Sequence, residues 1–180
     1  MKTKAMVETA LLVALMCVGA LITVPLPFTP VPITLQTLVI MFAALYLPKK
    51  QCLTGIIVYI LIGIAGLPVF SGGRSGLGVL FGPTGGFMMA FPLMAFSIAV
   101  VFDILKAKTS IYAAAVAAVV AGNIPLFVCG SVWFALIQSV SPLNAFLMCV
   151  LPYLPGDAVK AVAAVSTYSS VNAAVRVRRR

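Results

Sequence analysis

The chain has 180 residues, of which 63% are apolar and 8% charged, with a mean hydropathy of +1.20. Soluble domains run at roughly 45–50% apolar and about 25% charged. A globule of this size cannot build a polar shell from twelve Lys/Arg and three acids, so a soluble enzyme is excluded, and so is a disordered chain, which needs low hydrophobicity. An integral membrane protein built of helices remains.

A helix needs about 20 apolar residues to cross the hydrocarbon core. The first run predicts a span over 5–24. Lys2 and Lys4 precede it, as in a signal peptide, but no A-x-A cleavage site follows and more apolar runs do. It is read as a retained membrane helix. It stops at Pro25, Pro27, Pro30 and Pro32, which forbid helix. The second span, 33–47, ends at Pro48-Lys49-Lys50, and the third, 52–67, ends at Pro68. A glycine-rich segment follows over 71–86, reading SGGRSGLGVLFGPTGG. The fourth span covers 86–105 and the fifth 110–136. After Ser139, Ser141 and Pro142 comes a short apolar piece, 143–151, and the last span, 155–175, runs into Arg176, Arg178, Arg179 and Arg180. The expectation is all-α: one six-helix membrane domain over 1–180.

The net charge of +9 invites nucleic acid as a partner, but its placement argues otherwise. Six spans put Lys2/Lys4, Lys49/Lys50, Lys106/Lys108 and the terminal arginines on one side. Cytoplasmic loops of membrane proteins carry such an excess, so both termini are expected in the cytoplasm and no nucleic acid is expected. Only Arg74 and Lys160 fall elsewhere. Lys160 lies roughly 24 Å of helix from Arg176, in the outer part of the membrane, taking about 1.5 Å per residue.

Much chemistry is missing. The chain has no histidine, so histidine-based nucleophilic and metal sites are excluded. No G-x-x-x-x-G-K-[ST] loop for ATP occurs. Gly76-x-Gly78 is not a dinucleotide fingerprint, since Phe81 stands where the third glycine belongs. Cys17, Cys52, Cys129 and Cys149 lack metal spacing and read as small buried hydrophobes. No catalytic residue, metal or cofactor is expected.

Asp157 and Lys160 stand three apart, on one face of a helix. Each would cost about 2.5–3.5 kcal/mol at the bilayer centre, so both must turn inward and find partners. They either brace the bundle as an ion pair or hold a ligand. Pro155-Gly156 just before them marks a helix N-terminus, where anions are favoured. Pro152 and Pro155 break the preceding segment, as around transported solutes, and Tyr153 adds an aromatic wall with a hydroxyl. A cation and an acceptor together suit a small molecule with an anionic end and an N–H-bearing end. Phe70, Phe81 and Phe87 would cover its hydrocarbon part.

The glycines of 71–86 permit close backbone approach to a ligand. That segment is either a flexible outer loop or a lid in which 79–81 dips into a pocket. Arg74 is either an anion contact or a solvated charge. Glu8, Asp103 and Lys106 read as surface pairing partners. Ala10-x-x-x-Ala14 has the small-residue spacing that lets another helix come close, in this chain or in a partner.

Four segments in order carry a resemblance over the whole chain. They are PFTPVPITLQTL from Pro27 to Leu38, Gly66-Leu67-Pro68-Val69-Phe70, Gly82-Pro83-Thr84-Gly85-Gly86-Phe87, and Pro152-Tyr153-Leu154-Pro155-Gly156-Asp157-x-x-Lys160. The sequence resembles the biotin-specific S components, the BioY family, of energy-coupling-factor transporters. The resemblance implies an outward-facing biotin pocket in a bacterial plasma membrane, a transmembrane coupling protein and two cytoplasmic ATPases as partners, and lipid around the bundle. It implies ligand roles for Asp157 and Lys160; Tyr153, Arg74, Phe70, Gln36 and the Gly82, Thr84, Gly85, Gly86, Phe87 motif complete the set of candidate ligand residues. It makes Ala10 and Ala14 the contact with the coupling protein. One position departs from the pattern: Phe87, Met88 and Met89 stand where some members carry an arginine. A stand-alone transporter with Asp157 as proton carrier, a membrane scaffold without a ligand, and an intramembrane enzyme are the rival readings.

Overall fold

The structure is a computed structural model that describes residues 2–178, with side chains from 3 to 172. The charge signals on Lys2, Arg176, Arg178, Arg179 and Arg180 lie outside the described side chains.

Helix α1 (Lys2–Leu21) opens the chain. Leu12, Met16 and Ala20 form a narrow buried stripe one helical turn apart, while Met6, Val7, Leu11, Leu15 and Val18 are exposed. That distribution suits a helix set against a bundle on one side and hydrocarbon on the other. Ala10 and Ala14 lie on the exposed side, not in internal packing.

The chain then leaves helix. Strands β1 (Thr23–Leu26) and β2 (Thr29–Thr34) pair antiparallel, with Thr23 opposite Thr34 and Leu26 opposite Thr29. The expectation of an all-α chain is corrected to a helical bundle carrying one hairpin. The first span ends at Leu21, not at 24, and the second begins at Gln36, not at 33. Proline fixes φ and has no N–H, which stops a helix, while interspersed Thr, Val and Ile favour extended backbone. A two-stranded ribbon consists only of edge strands, where missing donors are tolerated.

Helix α2 (Gln36–Tyr46) has 11 residues and α3 (Lys49–Ile64) has 16. The stretch after α3 is folded, not a plain flexible loop. A 3₁₀ turn at Ser71–Gly73 is closed by a β-bridge between Phe70 and Arg74, and α4 (Leu77–Leu80) follows. Gly72 and Gly73 hold φ of +71° and +72° in that turn, a conformation costly for other residues.

Helices α5 (Gly85–Leu105) and α6 (Ile111–Gln138) form the most extensive helix–helix contact. Glycine makes the approach possible. A Cβ on Gly122 would stand 2.3 Å from Ile98 Cγ1, and one on Gly130 would stand 2.2 Å from the Phe87 ring. Ala114, Ala115 and Ala118 continue this small-residue face with no exposure. Small residues let membrane helices pack backbone to backbone, where dispersion replaces a hydrophobic drive. Ser110 caps α6 by accepting from the Ala113 N–H at 3.2 Å.

Helix α7 (Pro142–Cys149) is short, as expected for the apolar piece before the last span. A 3₁₀ turn at Leu151–Tyr153 then leads into α8 (Leu154–Arg178). Among the described residues four stretches are long and apolar enough to cross a membrane: Thr3–Leu21, Gly85–Leu105, Ile111–Gln138 and Pro142–Asn172.

Basic residues from three separate segments meet at one end of the bundle. Lys4, Lys49 and Lys106 line one cleft together with Glu8 and Asp103. Asp103 accepts from Lys49 at 2.9 Å and from Lys106 at 2.5 Å, and Lys4 lies 3.7 Å from Glu8. Gln51 ties α3 to α1 by donating to the Ala5 carbonyl at 2.8 Å and to Glu8 at 3.3 Å. These exposed ion pairs are the surface partners expected for Glu8, Asp103 and Lys106, each contributing about 0–1 kcal/mol.

Candidate functional site

At the other end of α8 the prolines do what their spacing predicts. Pro152 lies in the 3₁₀ turn between α7 and α8, and Pro155 stands in the first turn of α8, where its missing N–H is tolerated, together with Asp157. Asp157 is 5% exposed and Lys160 8%. Burial this deep requires partners, since an unpaired ion costs several kcal/mol in a low-dielectric setting. Lys160 Nζ donates to Asp157 Oδ1 at 2.8 Å and to the Thr37 hydroxyl at 3.0 Å. An ammonium has three protons, so these bonds leave one for a further acceptor. Asp157 Oδ1 is engaged, and the second carboxylate oxygen is the natural acceptor for an N–H group.

The pair does not face away from open space. Both residues line a cavity of about 70 Å³, together with Gln36, Thr84, Phe87 and Tyr153. Its walls come from β2, α2, the 71–84 segment, α5, α6 and the start of α8. Phe87, Met88, Phe91, Leu126 and Phe127 make one side aromatic and apolar. A second space of about 290 Å³ lies against the hairpin and shares Pro32 and Ser71 with the first. Arg74 lines this second space and not the first.

Hydrogen bonds hold the polar wall in place. Gln36 Nε2 donates to the Tyr59 hydroxyl at 2.6 Å, and Tyr59 donates on to the Val69 carbonyl at 2.9 Å. The Thr34 hydroxyl donates to Gln36 Oε1 at 3.1 Å. The side-chain amide therefore keeps one N–H for a ligand. Tyr153 supplies its ring to the cavity, but its hydroxyl donates to the Val31 carbonyl of β2. It pins the hairpin to the α7–α8 junction instead of offering a handle.

The remaining predicted residues have other places. Phe70 has no exposure and packs edge-on against Tyr59 with ring centroids 5.8 Å apart. It also fills the space at Gly63, where a Cβ would come within 2.1 Å of its ring. Phe81 is 63% exposed and covers nothing. Val79 and Leu80 pack against the core, so 79–81 does not dip into the cavity. Gly82, Gly85 and Gly86 act through packing. The Gly82 carbonyl accepts from Trp133 Nε1 at 2.9 Å, and a Cβ on Gly85 or Gly86 would strike Leu80 O at 1.6 Å or Trp133 Cβ at 2.2 Å. The motif bends the chain into α5 and locks it to α6, which sets Thr84 and Phe87 on the cavity wall. Arg74 is exposed and donates through Nε to the Ser71 carbonyl at 3.1 Å.

Three polar wall residues, Thr34, Thr37 and Ser71, escaped the sequence argument. Thr37 follows Gln36 in a segment already singled out, but its bond to Lys160 crosses 123 positions. Ser71 is 8% exposed, and among the described residues its hydroxyl has no hydrogen-bond partner. Serine in a glycine-rich run reads as turn chemistry, so no local signal marked it. The cysteines are free thiols, Cys52 and Cys149 buried and Cys17 and Cys129 half-buried.

The same arrangement of segments recurs in known proteins. A family model described as the BioY family matches residues 1–177. A probable biotin transporter BioY of Pyrococcus horikoshii is 36% identical over 165 residues, covering 92% of this chain and 94% of the relative. A probable biotin transporter BioY of Bacillus subtilis is 37% identical over 167 residues, covering 92% and 88%. A crystal structure of the S component for biotin from an ECF-type ABC transporter superposes with a TM-score of 0.86 at 26% identity, covering 99% of this chain and 93% of the other. With one family model spanning nearly all of its length and relatives above 30% identity along most of theirs, the chain belongs to the BioY family.

Proposed function

We propose that this chain captures biotin as the substrate-binding membrane subunit of an ATP-driven vitamin importer. The observation that carries the reading is the buried Asp157–Lys160 pair facing a cavity with bonding capacity left over. Biotin has a ureido group, an apolar bicyclic body and a carboxylate tail. Asp157 accepts from a ligand N–H, Lys160 and the Gln36 amide give donors, and Phe87 with the Tyr153 ring covers the apolar body. The inner cavity of about 70 Å³ is smaller than the roughly 300 Å³ usual for a small-molecule site. The ligand therefore reaches past Pro32 and Ser71 into the adjoining space, where Arg74 stands near its outer end, and the hairpin shifts to admit it.

In this reading residues 1–180 form one domain with six membrane crossings and both termini in the cytoplasm. The clustering of Lys4, Lys49 and Lys106 at the end away from the cavity supports that orientation. The protein sits in a bacterial plasma membrane. It works with a transmembrane coupling protein, which contacts the exposed Ala10 and Ala14 face, and with two cytoplasmic ATPases. The sequence has no P-loop, consistent with energy drawn from another chain. Asp157 as a lone proton carrier fits less well, because Lys160 holds it as an ion pair.

Isothermal titration of biotin into the detergent-solubilised protein tests the reading. Saturable binding that is lost in Lys160→Ala supports it. Absence of binding to the wild-type protein, or wild-type affinity retained in both Asp157→Ala and Lys160→Ala, overturns it. Liposomes carrying this chain alone should not accumulate biotin under a pH gradient.

A further inference from the structure

The end of the bundle opposite the cavity carries a second constellation that the biotin reading does not use. A cleft of about 580 Å³ opens there between α1, the α2–α3 turn, the end of α5 and α8. Tyr168 and Asn172 line it. Asn172 is fifteen residues along α8 from Asp157, about 22 Å at 1.5 Å per residue. Among the described residues three ammonium groups, Lys4, Lys49 and Lys106, face two carboxylates, Glu8 and Asp103, so the described lining carries an excess of positive charge. Asp103 is shared by Lys49 and Lys106. Each of these lysines spends one donor on it and keeps two. Their side chains are 43% and 48% exposed, so the spare protons are within reach of a ligand.

The cleft continues into an apolar groove. That groove, about 80 Å³, runs between α1 and α2 along Leu11, Leu15, Val39 and Phe42. It shares Glu8, Tyr46 and Leu47 with the cleft. Tyr46 lies at the junction, stacked on Phe42 with centroids 5.7 Å apart and planes 9° apart. An aromatic ring with a hydroxyl suits the boundary between headgroups and hydrocarbon.

A polar cleft with a positive excess at a helix end, joined to a greasy furrow along the bundle, has the shape and charge of one lipid class. We infer that this end binds an anionic phospholipid, its phosphate on Lys49 and Lys106 and an acyl chain in the α1–α2 groove. The positive excess of the described lining attracts a phosphodiester, and the headgroup cation of a zwitterionic lipid offsets that attraction. Surface lysines near a membrane are drawn to anionic lipid. Here the groove adds apolar contact that a merely basic surface lacks.

The test uses the full-length protein in nanodiscs of phosphatidylcholine, with or without phosphatidylglycerol. Phosphatidylglycerol should raise the Tm, and native mass spectrometry should retain one such lipid per chain. Lys49→Gln/Lys106→Gln should lose both the shift and the adduct, and Leu15→Trp, which fills the groove, should lose the adduct. Where the double variant fails to fold, Lys106→Gln alone keeps the Lys49–Asp103 pair and should reduce the adduct. An equal Tm in the two lipids, or an adduct retained in the lysine variants, overturns the inference. Soluble glycerol phosphate that reproduces the shift also overturns it, since the groove would then be idle. Biotin titration of the same variants should be unchanged, which separates this site from the cavity.

Discussion

Lys160 Nζ and the Thr37 hydroxyl meet at 3.0 Å, joining the second turn of α8 to the first turn of α2 at the cavity wall. The bond makes the ammonium a three-way junction of helix, carboxylate and open space. Lys160→Met and Asp157→Asn should each destabilise the protein by about 3–5 kcal/mol, because each leaves a buried charge alone. The double variant should lose less than the sum, since no charge is stranded. Thermal unfolding of the four proteins in one detergent measures this, and additive losses would contradict it.

Removing only the Thr37 hydroxyl is gentler. Thr37→Val leaves the ion pair intact and deletes one charge-assisted bond, worth about 1.5–3 kcal/mol. If that bond holds the ammonium in its binding position, biotin affinity falls about tenfold to a hundredfold at about 1.4 kcal/mol per decade. Isothermal titration gives the value.

Tyr153→Phe keeps the ring in the cavity and releases the Val31 carbonyl. Hydrogen exchange over 23–34 should quicken, and bound biotin should leave faster. A single hydrogen bond contributes about 0.5–1.5 kcal/mol, so the off-rate should rise by up to about tenfold. Unchanged exchange in the hairpin would mean that Tyr153 does not pin it.

Gly122→Ala tests the α5–α6 contact. The new methyl would press on Ile98 and on the Met94 carbonyl, which lies 3.0 Å away. Overpacking of this kind costs about 1–3 kcal/mol. Adding Ile98→Ala should restore part of the lost Tm, because it removes the atoms that collide.

Composition and charge alone already determined the setting. An apolar chain with so few charges has nowhere to fold but a bilayer, and Asp157-x-x-Lys160 behind Pro155-Gly156 is local enough to read as a buried pair at a helix start. The breaks at Pro48, Pro68 and Pro152 were equally legible, since proline acts through its own ring and its missing N–H. The hairpin was half legible: the same rule excluded helix over 25–32, but pairing of β1 with β2 depends on two segments meeting.

Only the tertiary structure decided what the pair faces and what each aromatic does. Phe70, Phe81 and Phe87 are alike in sequence, yet one fills the core at Gly63, one is exposed and one lines the cavity. Gly85 and Gly86 read as ligand-approach glycines and serve helix packing, because the atoms that need the space, Leu80 O and Trp133 Cβ, come from another helix or turn. Thr37 against Lys160, Tyr153 against Val31 and Tyr59 against Gln36 join residues far apart in the chain. Periodicity and motif spacing report only on neighbours within a turn or two. Contacts between distant segments arise when the whole bundle closes, and the cavity is made of such contacts.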